Sequence, residues 1–236
     1  MRCTICGGPP QGAAARTLRG ELTCVSHPFV ATCVFCGRRA GRGEPGWCDL
    51  GAGTHRCPRC AQEAVDTQDA LRRHVPRVRG VTRDLGFGLA RRVRVVFGTV
   101  DDLAGPGPAR PFGVTELRIT GARTAEVVVV RVLCGLPAFV FGRVVAHELG
   151  HAWLAQFASR PADPAVEEGV CELIAYAWLK RSGTPYSDEL REEIRKNPDP
   201  VYGNGFRTVQ AAVRQHGLAT VLESMSTAGI LSSGHP

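Results

Sequence analysis

The sequence predicts an α+β fold in which a small cysteine-rich module precedes a larger domain with a small β-sheet and several helices. Three observations predict it. Eight of the ten cysteines stand before residue 61. Three β-like runs follow between residues 93 and 133, and two apolar-rich helical stretches occupy 138–157 and 164–181. With 44% hydrophobic and 22% charged residues, the 236-residue chain can bury one fair-sized core beside a small module. The expected division is 1–65 for the module, 66–90 for a connecting segment and 91–236 for the larger domain.

The module comes first. Cys3 and Cys6, Cys24 and His27, Cys33 and Cys36, and Cys57 and Cys60 form four pairs with two residues between the members of each. A tight turn of that length aims both side chains at one tetrahedral ion. Taken consecutively, the first two pairs make a site of three cysteines and one histidine, and the last two an all-cysteine site. Gly7, Gly8, Gly37 and Pro58 lie in or after these turns, where the chain must reverse. The segment has few large apolar residues, so two structural Zn²⁺ ions are expected to supply its folding energy. Cys48 and His55 have the wrong spacing and read as a half-buried thiol and a surface imidazole. Cys134 and Cys171, in apolar surroundings, read as core residues.

The connecting stretch is polar and arginine-rich, with a helix expected over Asp66–His74 and ended by Pro76. Val93–Val100, Val114–Thr120 and Glu126–Leu133 read as strands. Between the first two, the GPGPARP stretch at 105–111 reads as a rigid loop.

Ala138–Phe157 reads as a largely buried helix entered after Gly135 and Pro137. It contains His147, Glu148 and His151 in the pattern HELGH. A spacing of four puts both imidazoles on one helical face, where they can bind one Zn²⁺. Glu148 beside them can act as general base toward a water at that ion. A third protein ligand is then needed. Pro164–Arg181 reads as a second helix, begun near Asp163, on which Glu168 and Glu172 share a face while Glu167 points elsewhere. In the gluzincin arrangement the glutamate before glycine is the ligand, so Glu168 takes that role and Glu172 supports a ligand histidine from behind. For stabilising an oxyanion the candidates are Tyr202, Tyr176 and His216. Tyr202, on a glycine-flexed turn, comes first, Tyr176 reads as packed within its helix, and His216 as a helix cap.

The formal charge is +7. Seven cysteines bound as thiolates to three Zn²⁺ would leave about +6, and the arginines are scattered with few aromatics among them, which argues against nucleic acid as a partner. The longest apolar stretch, Val127–Val145, is interrupted by Arg131, Gly135, Pro137, Gly142 and Arg143, which argues against a membrane span. Only Met1 and Arg2 precede Cys3, so no secretory leader and a cytoplasmic location are expected.

These residues resemble a known family, the ubiquitin-activated LIM-domain peptidases of plants that limit organ growth. The likeness is carried by CVSH at 24–27, CVFC at 33–36, CGLP at 134–137, AHELGHAWL at 146–154, VEEGVC at 166–171, YAWL at 176–179 and PVYGNGFR at 200–207. It implies a LIM-like double-zinc module joined to a gluzincin (zincin-like) peptidase domain. It implies an endopeptidase acting on regulatory proteins, with ubiquitin or ubiquitylated proteins as partners. The sequence departs from the pattern in its second knuckle, Cys-x2-His where an ordinary LIM domain has His-x2-Cys. Its compact length and composition resemble a short bacterial-type member.

The resulting expectation is a zinc metallopeptidase with one catalytic and two structural ions. His147, His151 and Glu168 hold the catalytic ion, Glu148 is the base, and the strand at Glu126–Leu133 lies beside an extended substrate. The rival readings are a zinc adaptor with an idle peptidase fold and a nucleic-acid-binding zinc protein.

Overall fold

The computed structural model describes residues 1–104, 111–121, 124–158 and 163–227. The loop expected at 105–111 therefore lies, apart from Pro111, outside the described residues. Three short antiparallel hairpins build the N-terminal region: β1 (Ala14–Arg16) with β2 (Leu22–Cys24), β3 (Ala31–Thr32) with β4 (Arg39–Ala40), and β5 (Cys48–Asp49) with β6 (His55–Arg56). Helix α1 (Pro58–Gln62) opens on Cys57, whose sulfur accepts from the Cys60 N–H. Such small hairpins bury little, so the knuckles are pinned by bridges to them: Cys3 to Leu22 and Cys33 to His55.

The module is welded to the larger domain. β7 (Ala64–Val65) pairs antiparallel with β11 (Leu136–Pro137), the two residues that lead into the long helix. Arg56 donates to the Gly135 carbonyl at 2.7 Å. Arg19 pairs with Glu63 at 2.9 Å and lies over the rings of Phe139 and Tyr186. One core cluster runs from Cys33, Cys57 and Val65 through Val130 and Phe141 to Leu179 and Phe206, crossing residue 65 without a break.

Helix α2 spans Gln68–Asp84, capped by Thr67, and runs through Pro76 rather than ending before it. Arg72 and Pro76 both lie on the exposed face. The Arg72 carbonyl that loses its partner to the proline ring is therefore open to solvent, while Leu71, Val75 and Val78 anchor the opposite face. Burial outweighs the local breaker.

The three expected strands form one sheet in the order β8 (Val95–Gly98), β10 (Thr124–Leu133), β9 (Gly113–Gly121). β10 is parallel to β8 and antiparallel to β9. It is thus the central strand, hydrogen-bonded on both sides over Val130–Leu133, and none of its residues lines the cleft described below, so the expected place beside a substrate falls to β9 instead. β9 is the edge on the cleft side. Helices α3 (Ala138–Phe157) and α4 (Pro164–Ser182) follow at the expected places. Twelve of the twenty residues of α3 are buried, so it has no solvent stripe. α4 starts with Asp163 accepting from the Ala165 N–H at 2.8 Å and stops at Gly183 in the left-handed region. Helices α5 (Ser187–Lys196), α6 (Tyr202–His216) and α7 (Leu218–Thr227) complete the order.

The helix crossings are close enough to require glycine. A Cβ on Gly169 would stand 2.4 Å from the Gly205 backbone of α6, and one on Gly150 would stand 2.9 Å from Cys171 Sγ. Cys171 is fully buried in a second cluster with Trp153 and Ile174, as expected of a core residue. Cys134 is only half-buried and directs its thiol toward the Asp66 carbonyl, so it is not core. Among the described residues no helix is long and apolar enough to cross a membrane.

Candidate active site

A cleft of about 530 Å³ lies between β9 and helices α3 and α4. His147, Glu148, His151, Glu168, Glu172 and Tyr202 all line it, so sequence-distant candidates meet in one cavity. Helix α3 supplies the imidazoles one turn apart, 5.1 Å between ring centroids. Helix α4 crosses it through the Gly150–Cys171 contact, which brings Glu168 over them.

Glu168 Oε2 lies 3.1 Å from His147 Nε2 and 3.6 Å from His151 Nε2. This oxygen is buried, with the two imidazoles as its close polar neighbours. Ligand atoms about 2.1 Å from one tetrahedral zinc stand about 3.4 Å apart. Glu168 Oε2 stands near that spacing from each imidazole nitrogen. On the far side of the ring, His147 Nδ1 lies 3.3 Å from Glu172 Oε1. Burial disfavours the His147 imidazolium, yet Glu168 and Glu172 together raise its pKa to about 10. Burial likewise opposes the Glu168 carboxylate, but the two imidazoles hold it well below the usual carboxylate range. A cation between them would take over the role of that proton.

Cys171 offers a rival third ligand, since its sulfur and the two imidazoles come within 4.8 Å of one another. Burial pushes its thiol well above the ordinary value, and the Glu168, Glu148 and Glu172 carboxylates push it further. Its sulfur packs against Gly150, and it is absent from the cavity lining. Glu168 suits the position better.

Glu148 is buried and is held from β9, which sequence reasoning missed. Thr115 Oγ1 donates to Glu148 Oε2 at 2.8 Å and lies 3.0 Å from the Glu148 carbonyl. Gly113 makes room, because a Cβ there would sit 2.8 Å from Glu148 Cγ and Oε1. Arg143, read only as an interruption of an apolar run, pairs with Glu172 at 3.9 Å and Glu193 at 3.4 Å. Its position four residues before His147 was the available signal.

Of the three oxyanion candidates only Tyr202 lines the cleft. It opens helix α6 instead of lying on a flexible turn, since Asp199 caps that helix by accepting from the Val201 and Tyr202 N–H groups. Its ring stacks at 6.2 Å on His147. Burial, with Glu168, Glu148 and Glu172 nearby, pushes its hydroxyl up to about 12, so it stays a proton donor. Tyr176 instead packs on Phe206 and meets Arg195 at 3.3 Å, and His216 ends α6 beside Gly217.

The other two clusters also come together and can hold metal ions: Cys3, Cys6, Cys24 and His27, and Cys33, Cys36, Cys57 and Cys60. Ile5 and Cys24 N–H groups point at Cys3 Sγ, each at 3.4 Å. His27 Nε2 is buried without a partner. Cys36 and Cys57 sulfurs are 3.7 Å apart, against about 3.8 Å for two thiolates at 2.3 Å from one tetrahedral zinc. Neighbouring S–H groups pull the Cys33 thiol far down, while hydrogen bonding to Cys33, Cys36 and Cys57, with burial and the Cys33 charge behind it, pushes Cys60 far up, a conflict that a divalent ion removes. All ten cysteines are free thiols.

A family model described as DA1-like, Protein DA1, matches residues 61–191 and 187–228. Protein DA1 of Arabidopsis thaliana is 31% identical over 135 residues, 45% of this chain and 25% of that protein. Protein DA1-related 7 of the same plant is 28% identical over 197 residues, 70% of this chain and 33% of the relative. The LIM domain-containing protein HDR3 of Oryza sativa subsp. japonica is 25% identical over 206 residues, 71% of this chain and 39% of the relative. The matches thus span a quarter to two fifths of these relatives' own length. No solved structure matches the chain.

Proposed function

The chain belongs to the DA1-like family, and from that premise and the site geometry we propose that it is a zinc-dependent endopeptidase. The observation that carries the reading is the approach of the buried Glu168 Oε2 to both His147 Nε2 and His151 Nε2, at 3.1 and 3.6 Å. His147, His151 and Glu168 would hold the catalytic ion. The two knuckle clusters would hold structural ones, in keeping with a relative named as LIM domain-containing. Zn²⁺ so held supplies a Lewis acid for a peptide carbonyl and acidifies water.

The remaining steps belong to side chains of this chain. Glu148 takes the proton from the attacking water and passes it to the leaving amine. Thr115 keeps that carboxylate aimed into the cleft. Glu172 Oε1, 3.3 Å from His147 Nδ1, would take up its N–H and so turn Nε2 toward Glu168. Tyr202, kept neutral, donates to the carbonyl oxygen as charge develops there. The edge of β9, which has no outer partner among the described residues, offers backbone groups to an extended substrate. The proposed substrates are regulatory proteins, ubiquitylated ones among them, and ten cysteines with no disulfide between them suit a reducing cytoplasm.

Glu148→Gln is the test. It should give a folded, fully metallated protein whose cleavage of a peptide library falls at least 10²–10⁴-fold, the scale of general-base catalysis. Equal cleavage by both proteins at equal zinc content sinks the mechanism.

A further inference from the structure

The cleft has a wall that the catalytic reading does not use. Val34 and Phe35, the two residues inside the Cys33–Cys36 knuckle, line the same cavity as His147 and Glu148. The all-cysteine cluster therefore does more than fold the module, because the turn it creates is part of the cleft surface. We propose that this knuckle tip, in the cavity that Leu117 of β9 also lines, forms an apolar side-chain subsite that selects a large aliphatic or aromatic residue of an extended peptide.

The inference rests on the endopeptidase reading for its occupant and on four observations for its chemistry. Val34 is 45% and Leu117 48% exposed, although both are large apolar residues facing a concave site. Apolar surface left open in a cleft is stabilised by an apolar ligand group, and two such residues in one cavity define where that group goes. Next, the wall is rigid. The Val34 N–H donates to the His55 carbonyl at 3.1 Å, Cys33 bridges the same residue, and Phe35, 6% exposed, packs on Phe112 at 5.4 Å. A preformed wall costs the ligand little ordering.

The strand register supplies the third observation. Gly113 and Thr115 both meet Glu148, so Leu117 lies on the same face of β9 by the two-residue period. A peptide laid along that edge would turn alternate side chains into the cavity that Leu117 and the knuckle line. Finally, the charged residues of the cleft beyond the histidine–glutamate cluster, Arg143 and Glu193, belong to α3 and α5, and the knuckle tip offers no charge to a polar side chain.

The test uses the zinc-loaded Glu148→Gln protein, which holds peptides without turnover. Peptides carrying Leu, Phe, Ala or Lys at each position in turn are titrated by fluorescence anisotropy. One position should prefer Leu or Phe over Ala by about tenfold, the scale of a hydrophobic subsite. Adding Val34→Glu, at unchanged zinc content and melting temperature, should abolish that preference and favour Lys at the same position. Val30→Glu serves as control: it is equally a module valine, 67% exposed, and outside the cleft. It should change nothing. An unchanged profile in Val34→Glu, an equal change in Val30→Glu, or no peptide binding at all overturns the subsite. Hydrolysis by the wild-type protein is measured separately, so selective binding without cleavage refutes the peptidase reading and leaves the subsite standing.

Discussion

Thr115→Val isolates the contact between the edge strand and Glu148, the proposed general base. Valine keeps the shape and the strand preference of threonine, so β9 and its packing on α3 should persist. What disappears is the 2.8 Å hydrogen bond from Thr115 Oγ1 to Glu148 Oε2. A hydrogen bond to a charged group contributes about 1.5–3 kcal/mol. The same hydroxyl proton is shared with the Glu148 carbonyl at 3.0 Å, which places the loss toward the lower half of that range, about 1.5–2 kcal/mol. At about 1.4 kcal/mol per factor of ten, kcat/KM should fall roughly 10–30-fold. The assay is steady-state cleavage of a quenched fluorescent peptide, with zinc content and a thermal melt run on the same preparation. Thr115→Ser, which restores the donor, should recover most of the loss. If Thr115→Val stays within about twofold of wild type, or serine fails to rescue it, the hydroxyl does not hold Glu148 in its working position.

Three further outcomes are expected from the same geometry. Metal analysis of protein never exposed to chelator should find three zinc ions per chain, one for each converging cluster, and a lower count removes a cluster from the scheme. Glu168→Ala should empty the catalytic position. Glu172→Gln should keep the metal and cost about 10–100-fold in activity or affinity, and Glu167→Ala should be nearly silent. Metal loss in Glu172→Ala but not in Glu168→Ala would reverse their assignment. Gly169→Ala should destabilise the protein by about 3 kcal/mol, since the new methyl meets the Gly205 backbone at 2.4 Å, where no side chain can yield. Its melting temperature should drop by roughly 6–12 °C, and an unchanged melt would show that α4 and α6 can separate freely.

Much of the site was legible because ligand spacing and helical period are local. Two residues between paired cysteines and a spacing of four between His147 and His151 constrain geometry within one turn of chain. The alternation of Glu168 and Glu172 on one face does the same. The limits of α3 and α4 were equally local: Pro137, Asp163 and Gly183 act on the backbone beside them. Helix α2 shows where such reasoning fails. Pro76 is a local breaker, but Val75 and Val78 bury against the rest of the protein and carry the helix past it.

The sequence by itself therefore determined the residue types, the paired cysteines of the module, and the two helices on which His147, His151 and Glu168 stand. Tertiary structure alone decided strand order, and with it that β9 rather than β10 borders the cleft. It also brought Gly113 and Thr115 against Glu148 and put Val34 and Phe35 into the same cleft. Those choices depend on how segments far apart in the chain exclude water from a shared core. Burial is summed over the whole protein and leaves no periodic mark on any one stretch of it.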